Sequence, residues 1–499
     1  MNQPQNIQTV PLQIQPAAAG DLLEEIISAT SAGPTIKDRD EAKQWADSFL
    51  REERSRGTMP LAASASARAL INARIGEIDR LISAQLDEIL HHGQFQKLEA
   101  TWRGLKYLVD ETETSANLKL KILSTSKKGL LRDLQTAPKY DQSALWRQMY
   151  ETTFDTPGGE PFAALVGDYE FGRHPDDQEL LDRVSHISAA AHAPFLAAAS
   201  PDLFKLESFT ELRERPDLST FFAKPEFAQW NSFRENNEDS RYVALAMPHV
   251  LLRLPYGRDT RRTEGFSYEE GVEGTDHSKY LWGNAAYALG ARLTAAFARH
   301  GWCTSIRGYE GGGRVEGLPA HAFPTDAGDT VVKCPTEIAI DGRREGELAQ
   351  AGFVPLSHYQ GKDFAVFFSV QSCQKPRRYN KEEATASARL SAQLPYLLAS
   401  CRFAHYLKVM MRNKTGSPMS RKNAEDFLAD WIRQYVVSND DAAADEKREK
   451  PLRDARIEVV ERADAPGVYD AVAYLQPHFM LDAITVSLRL VAQVPNVKA

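Results

Sequence analysis

The chain is poor in cysteine: Cys303, Cys334, Cys373 and Cys401 are all it has in 499 residues, they lie far apart, and none forms a CxxC pair. That spacing excludes a thiol-based zinc or redox motif and predicts buried, reduced thiols. Basic residues are missing from the start, the first being Lys37, so no positively charged stretch precedes an apolar one and a secretory signal is not expected. No apolar run reaches the roughly 18 residues of a membrane span. A cytoplasmic protein with no membrane insertion is the expectation. Positive charge is in deficit overall, with a formal net charge of −8, which argues against a dedicated nucleic-acid binder. Catalytic signatures are missing too: there is no GxxxxGK[ST], no HExxH among the 12 histidines and no GxSxG.

What is present is an ordinary globular composition, 42% hydrophobic and 26% charged, enough for two or three domains. A polar leader of about 60 residues carries one apolar island, GDLLEEIISAT. Its Leu22, Leu23, Ile26 and Ile27 gather on one helical face, with Asp21 and Glu24 placed as a capping box and Gly33-Pro34 as a stop. A helix this short is marginal alone, so it is expected to dock on a partner surface.

Next, Ile71, Ile75, Ile78, Ile82, Leu86 and Ile89 recur at three- and four-residue steps, a long helix with a narrow apolar seam. The seam suits either internal packing or a partner helix. FQKLEATWRGLKYLVDET reads as a second amphipathic helix, and LKLKILSTS as a half-buried strand through Leu118, Leu120 and Ile122. From about 145 to 375, helical and strand-like stretches alternate, which predicts an α/β or α+β body. Helices follow from about 381 to 437, broken near 414–418, then a charged loop at 438–451. The end is antiparallel in character: RIEVVE, YDAVAYLQP, and AITVSLRLVAQVP with Ile484, Val486, Leu488 and Leu490 on one face. A strand so close to a terminus is a candidate edge for a neighbour to extend.

Four features invite a chemical reading. The run GYEGGGRVEGLP lacks phosphate-loop spacing and reads as a tight turn or close backbone approach. Asp168 and Glu170 could serve acid–base chemistry, but no His, Cys or third carboxylate stands beside them at ligand spacing. His91-His92 suits the C-terminal dipole of the preceding helix. Arg402, His405, Lys408 and Arg412 fall along one face of a helix, either a solvated face or a contact with an acidic protein surface.

Taken together, FQKLEATWRGLKYLV, GGEPFAALVGDYEF, AAAHAPFLAAASPDLF, RYVALAMPHVLLRLPYG, RGYEGGGRVEGLP, CPTE, AGFVPLSHY and RFAHYLKVMMR resemble the large subunit of the contractile sheath of type VI secretion systems, the TssC or VipB family. The resemblance implies a structural protein with no cofactor and no enzymatic activity. It implies a tail-sheath-like α/β (α+β) fold with mixed sheets flanked by helices. The parts would be an arm at 1–60 with its docking helix at 21–31, a sheath region at 61–375, and a C-terminal domain at 376–499 with a strand-exchange terminus. It implies heterodimers with a small sheath subunit (TssB or VipA), self-assembly with neighbouring protomers into a tube around inner-tube hexamers, attachment to a baseplate, and recycling by an AAA+ unfoldase (ClpV) that grips the N-terminal helix. On this resemblance Leu22, Leu23, Ile26 and Ile27 are the unfoldase handle. Ile71 to Ile89 is the candidate small-subunit contact, Ile484 to Leu490 the inter-protomer strand, and Arg402 to Arg412 a possible inner-tube or protein contact. Two alternatives stay open: an enzyme built on Asp168 and Glu170, and a homologue in a phage-like tail.

Overall fold

The computed structural model describes residues 67–493 apart from 215–216, 265, 325–327, 418, 440, 463–468 and 479–487, together with a few residues between 44 and 55. Leu22, Leu23, Ile26, Ile27, Ile484 and Val486 lie outside the described residues. The chain divides into two compact units, one formed by 1–90 with 256–271, the other by 91–255 with 272–499.

In the first unit the dominant element is α1 (Ala67–Leu90). The segment 256–271 is tied to it by Asp87, whose Oδ1 accepts the Tyr268 hydroxyl at 2.6 Å. Tyr268 is buried, and the Glu270 carboxylate closes the segment by accepting the Tyr256 N–H at 2.9 Å.

The second unit begins with α2 (Gly93–Asp110), α3 (Lys127–Thr136), β1 (Leu165–Phe171), α4 (Pro175–Ala191), β2 (Phe195–Ala199), β3 (Val243–Met247) and β4 (Val250–Leu251). It continues with β5 (Trp282–Gly283), α5 (Ala286–His300), β6 (Arg314–Val315), the hairpin β7 (Ala322–Pro324) and β8 (Thr330–Val332), α6 (Gly342–Gln350), β9 (Phe353–His358) and β10 (Ala365–Phe367). The six-stranded sheet has the order β1-β2-β3-β9-β10-β6, in which β1, β2, β3 and β9 are parallel and β10 is antiparallel to both its neighbours, β9 and β6.

FLAAA and VALAM are apolar without alternation because both faces of this sheet are covered. Phe195, Ala197, Val243, Leu245 and Phe353 enter a core shared with α3, α4 and an aromatic cluster around Phe204, Phe222 and Trp230. Leu196, Ala244, Ala246, Val354 and Leu356 enter the opposite core, shared with α5 and the start of α8.

The helical stretch resolves into α7 (Glu382–Ser391), α8 (Leu394–Lys414) and α9 (Arg421–Arg433), then the short α10 (Ala444–Glu449) inside what the charge pattern suggested was loop. Helix α9 starts where Ser420 caps it by accepting the Asn423 N–H. The last layer is a three-stranded antiparallel sheet, β11 (Leu452–Glu461), β12 (Tyr469–Pro477) and β13 (Leu488–Gln493). The second half of α8, through Phe403 and Leu407, and α9, through Leu428 and Ile432, share a core with Ile457, Val459, Ala471 and Ala473 of that sheet. Helix α8 therefore belongs to two cores.

One expected strand is absent. Residues 118–126 are extended but pair with no strand, and Ile122 and Leu123 are 70% and 53% exposed. A side chain of β1 reaches this segment, the Tyr169 hydroxyl donating to the Thr125 carbonyl at 2.8 Å. The thiols also differ in part from expectation: all four are free, Cys373 and Cys401 are buried, but Cys303 and Cys334 are only half-buried.

Candidate functional site

On α1 the seam is not consumed by the fold. Ile75, Ile78, Ile82 and Ile89 are 41–50% exposed and Leu86 is half-buried, so packing among the described residues does not account for the pattern. Ile71 lies on the same helix. Four large aliphatic side chains held in water on one face form a surface that gains on covering, roughly 25 cal/mol per Å² of apolar area.

Helix α2 shows a second outward stripe that sequence reasoning passed over as ordinary amphipathicity. His92 caps its start by accepting the Gln94 N–H, in place of the dipole role expected for it at the end of α1. Its inner face sits on α5 at two close approaches: a Cβ on Gly104 would meet the Tyr287 ring at 2.4 Å, and one on Gly290 would meet Leu108 at 3.3 Å. With that face spent, Leu98 and Trp102 remain 56% and 64% exposed, and Phe95 and Val109 are exposed as well.

At the C-terminal sheet the register places Leu488 opposite Leu475 and Leu490 opposite Ala473. The terminal strand therefore has a partner within its own chain, while β11 and β13 are the outer strands of the three. An outer strand has one row of backbone groups directed away from its partner.

The cationic face on α8 needs correcting. His405 is 2% exposed and its Nε2 donates to the Ala191 carbonyl at 2.9 Å, while burial pushes its pKa down to about 3. Arg412 donates to the Phe154 and Thr156 carbonyls at 2.7 and 3.1 Å. The Lys408 ammonium lies 4.4 Å from the Phe154 ring centroid, and burial lowers its pKa to about 8. Arg402 stacks on Tyr406 at 4.8 Å. His405, Lys408 and Arg412 hold α8 against the π-helical stretch Arg147–Asp155 and the end of α4; the spacing that suggested a surface is that of a packed helix carrying long amphipathic side chains.

Asp168 and Glu170 acquire partners that lie far away in sequence. Asp168 accepts the Thr101 hydroxyl at 2.5 Å, and burial raises its pKa. Glu170 meets His249 Nε2 at 3.1 Å, and His249 Nδ1 meets Glu337 at 2.6 Å. Glu337 also accepts the Ser208 hydroxyl and the Phe209 N–H. Burial alone would lower the His249 pKa, but hydrogen bonds to the two carboxylates outweigh it and raise it to about 10. Burial would likewise raise Glu170 and Glu337, yet His249 holds both below the usual range. An imidazolium clamped between two carboxylates has no proton to trade near neutrality. The arrangement ties β1, the turn after β3 and the CPTE stretch together, and among the described residues no group of three or more His, Cys, Asp or Glu is placed to hold a metal.

The glycine-rich run is a backbone crossing: the Gly308 N–H donates to the Phe367 carbonyl and the Phe367 N–H to the Gly313 carbonyl, and a Cβ on Gly313 would meet the Phe367 carbonyl at 2.5 Å. No helix among the described residues is long and apolar enough to cross a membrane.

Residues 72–374 match the EvpB/VC_A0108 tail sheath N-terminal domain, and 383–494 match the EvpB/VC_A0108 tail sheath gpW/gp25-like domain. The chain is 48% identical, over 86% of its length and 86% of the relative's, to the type VI secretion system sheath protein TssC1 of Pseudomonas aeruginosa. Among solved structures it is similar to a chain of the six-fold symmetrised baseplate of the anti-feeding prophage, at 10% identity over 79% of this chain and 83% of that one with a TM-score of 0.32. It is also similar to a chain of that prophage's helical sheath in the contracted state, at 11% identity over 64% of each with a TM-score of 0.24. Those two likenesses are too distant to bear on the assignment. Carried by both domain matches and the TssC1 relative, the conclusion is that this chain belongs to the EvpB/VC_A0108 tail-sheath family, the large sheath subunits of type VI secretion systems.

Proposed function

We propose that this sheath subunit pairs with a small sheath subunit of the TssB or VipA kind. The heterodimers polymerise on a baseplate in the cytoplasm into a helical tube around stacked inner-tube hexamers, and the tube contracts to drive the inner tube outward. The observation that carries this reading is the apolar seam of α1, whose Ile75, Ile78, Ile82 and Ile89 stand exposed in the isolated chain. The protein is read as structural, with no catalytic step. Contraction needs no nucleotide, because an extended lattice held at its ends relaxes downhill through many identical interface changes.

The leader helix is read as the recycling handle. Burying Leu22, Leu23, Ile26 and Ile27 yields roughly 6–12 kcal/mol gross at about 1.5–3 per side chain. Much of that gain is offset by the conformational entropy lost when the helix is ordered. Docking is therefore weak and reversible, which lets lattice geometry decide whether an unfoldase reaches it. Leu23→Asp and Ile27→Asp are expected to abolish unfoldase binding with heterodimer formation intact; loss of both together would remove the handle reading.

The deciding experiment is coexpression with the neighbouring small-subunit gene, followed by negative-stain electron microscopy of the purified product. Long ribbed tubes are expected. Discrete particles in the presence of a confirmed small subunit would overturn the tube-forming role.

A further inference from the structure

Helix α2 carries Phe95, Leu98, Trp102, Leu105 and Val109 at steps of three, four, three and four, the repeat of a helix that packs along another helix. Leu105 and Leu120 both rest on the Leu108–Tyr287–Ala291 cluster, so the unpaired segment 118–123 adjoins α2 and extends the apolar surface through Ile122 and Leu123. With about 150–250 Å² per aromatic side chain, the exposed parts of Phe95, Leu98, Trp102, Val109, Ile122 and Leu123 come to on the order of 500 Å². That is near the top of the roughly 300–600 Å² of the largest patch on a typical monomer, and a large part of the ~800 Å² that one partner brings to a standard interface. The flanking charges are paired: Glu99 with Arg103 at 2.7 Å and with Arg253 at 2.8 Å, and Lys106 with Asp110 at 2.9 Å.

From this geometry we infer that the outward face of α2, with residues 118–123, is the seat of an apolar-striped helix of the small sheath subunit. The inference rests on the heterodimer reading above. Two physical arguments select this occupant over another copy of the chain. Pairing α2 with α2 would be a two-fold contact, and a tube that pushes in one direction has no two-fold axis relating its like subunits. A lattice neighbour of any other kind covers the face only inside the tube, whereas an apolar surface of this size has to be covered in the unassembled pool as well, or the subunits aggregate. A permanent partner covers it in both conditions.

The test is copurification of the coexpressed pair with Leu98→Asp, Trp102→Asp and, as a control on an exposed apolar residue of the β7–β8 hairpin, Val332→Asp. Wild type and the control should retain the small subunit, and the two α2 variants should retain at least tenfold less. To separate contact from misfolding, hydroxyl-radical footprinting of the wild-type heterodimer compares Trp102, 64% exposed in the lone chain, with Tyr379, 52% exposed. Trp102 should be modified several-fold less than Tyr379. Equal modification, or α2 variants that pair normally but form no tubes, would assign the face to a lattice contact and overturn the inference while leaving the heterodimer intact. If wild type itself fails to retain the small subunit, the heterodimer reading falls and takes the inference with it.

Discussion

At the scale of single residues, the charges that look functional in one dimension are structural in three, and their pH behaviour gives them away. His249 sits between Glu170 and Glu337 with its pKa raised to about 10 from an ordinary 6.5. A raised histidine pKa contributes stability that is whole below pH 6.5 and is lost as pH rises through about 10, since the unfolded chain has by then given up its proton. The depressed carboxylates act in the opposite sense, contributing above about pH 4.5 and failing as acid protonates them. His249→Gln leaves the 6%-exposed Glu337 side chain uncompensated, a cost on the order of 3 kcal/mol near pH 6. The gap in Tm between wild type and variant should narrow steadily from pH 6.5 to 10; a constant gap would mean the imidazolium is not what holds the network. Lys408 gives the converse case. Its pKa of about 8 lies below the ordinary 10.5, so protonated Lys408 costs stability at pH 7, and that cost fades between pH 8 and 10.5. Lys408→Met, which keeps the stem packed beside Phe154, should melt no lower than wild type at pH 7, with any advantage gone by pH 10.5. A Tm several degrees lower at pH 7 would show that the cation–ring contact outweighs desolvation.

At the scale of elements, the α2–α5 crossing is the joint on which the outward stripe depends. Gly104 lets Tyr287 lie directly on the α2 backbone, so Gly104→Leu must push the helices apart or bend one of them. Overpacking of this kind costs typically about 1–3 kcal/mol. The variant should lose Tm and also loosen α2, read as faster amide exchange across 93–110 than across α4; unchanged exchange in α2 would mean the crossing is not its main anchor. This joint also marks where sequence reading stops. Periodicity was enough for α2, α5 and the pair β11 and β12, because each buries one face and shows it as a stripe or an alternation, and for α1, whose stripe of isoleucines is regular although it stays exposed. It failed at Leu118, Leu120 and Ile122, where alternation is present but no neighbouring strand offers its backbone, and at α8, where Arg402, His405, Lys408 and Arg412 share a face that is packed. The partners of Glu170 were hidden for a related reason: His249 and Glu337 arrive through strand order, which local pattern does not encode. The stripe of α2 was legible as five apolar residues at heptad spacing, but only the structure shows that Gly104 and Leu108 supply the inner face, that Leu105 packs beside them, and that Phe95, Leu98, Trp102 and Val109 are left exposed.

At the scale of the whole molecule, a subunit that must stay joined to its neighbours while they slide needs links stronger than its sliding contacts. The terminal sheet has the form for such a link: β13 is held to β12 from Leu488↔Leu475 to Gln493↔Asp470, and as the outermost of three strands it has a second row of backbone groups. We propose, as an extension of the sheath reading, that the terminal segment carrying Ile484, Val486, Leu488 and Leu490 makes the inter-protomer connection. Proline at Val486 or Leu488 removes one backbone donor and fixes φ, so a strand pairing between copies that uses that donor should weaken. In a polymer that deficit repeats at every subunit, and a loss of about 1 kcal/mol per contact lowers each association constant about fivefold. Heterodimer yield should stay at the wild-type level, because the seam of α1 lies outside the terminal sheet, while tube length in negative-stain images should collapse. Full-length tubes from both proline variants would show that the strand serves its own chain alone and that neighbours are joined elsewhere; loss of the heterodimer together with the tubes would show that the terminal sheet is needed to fold the subunit before it is needed to connect it.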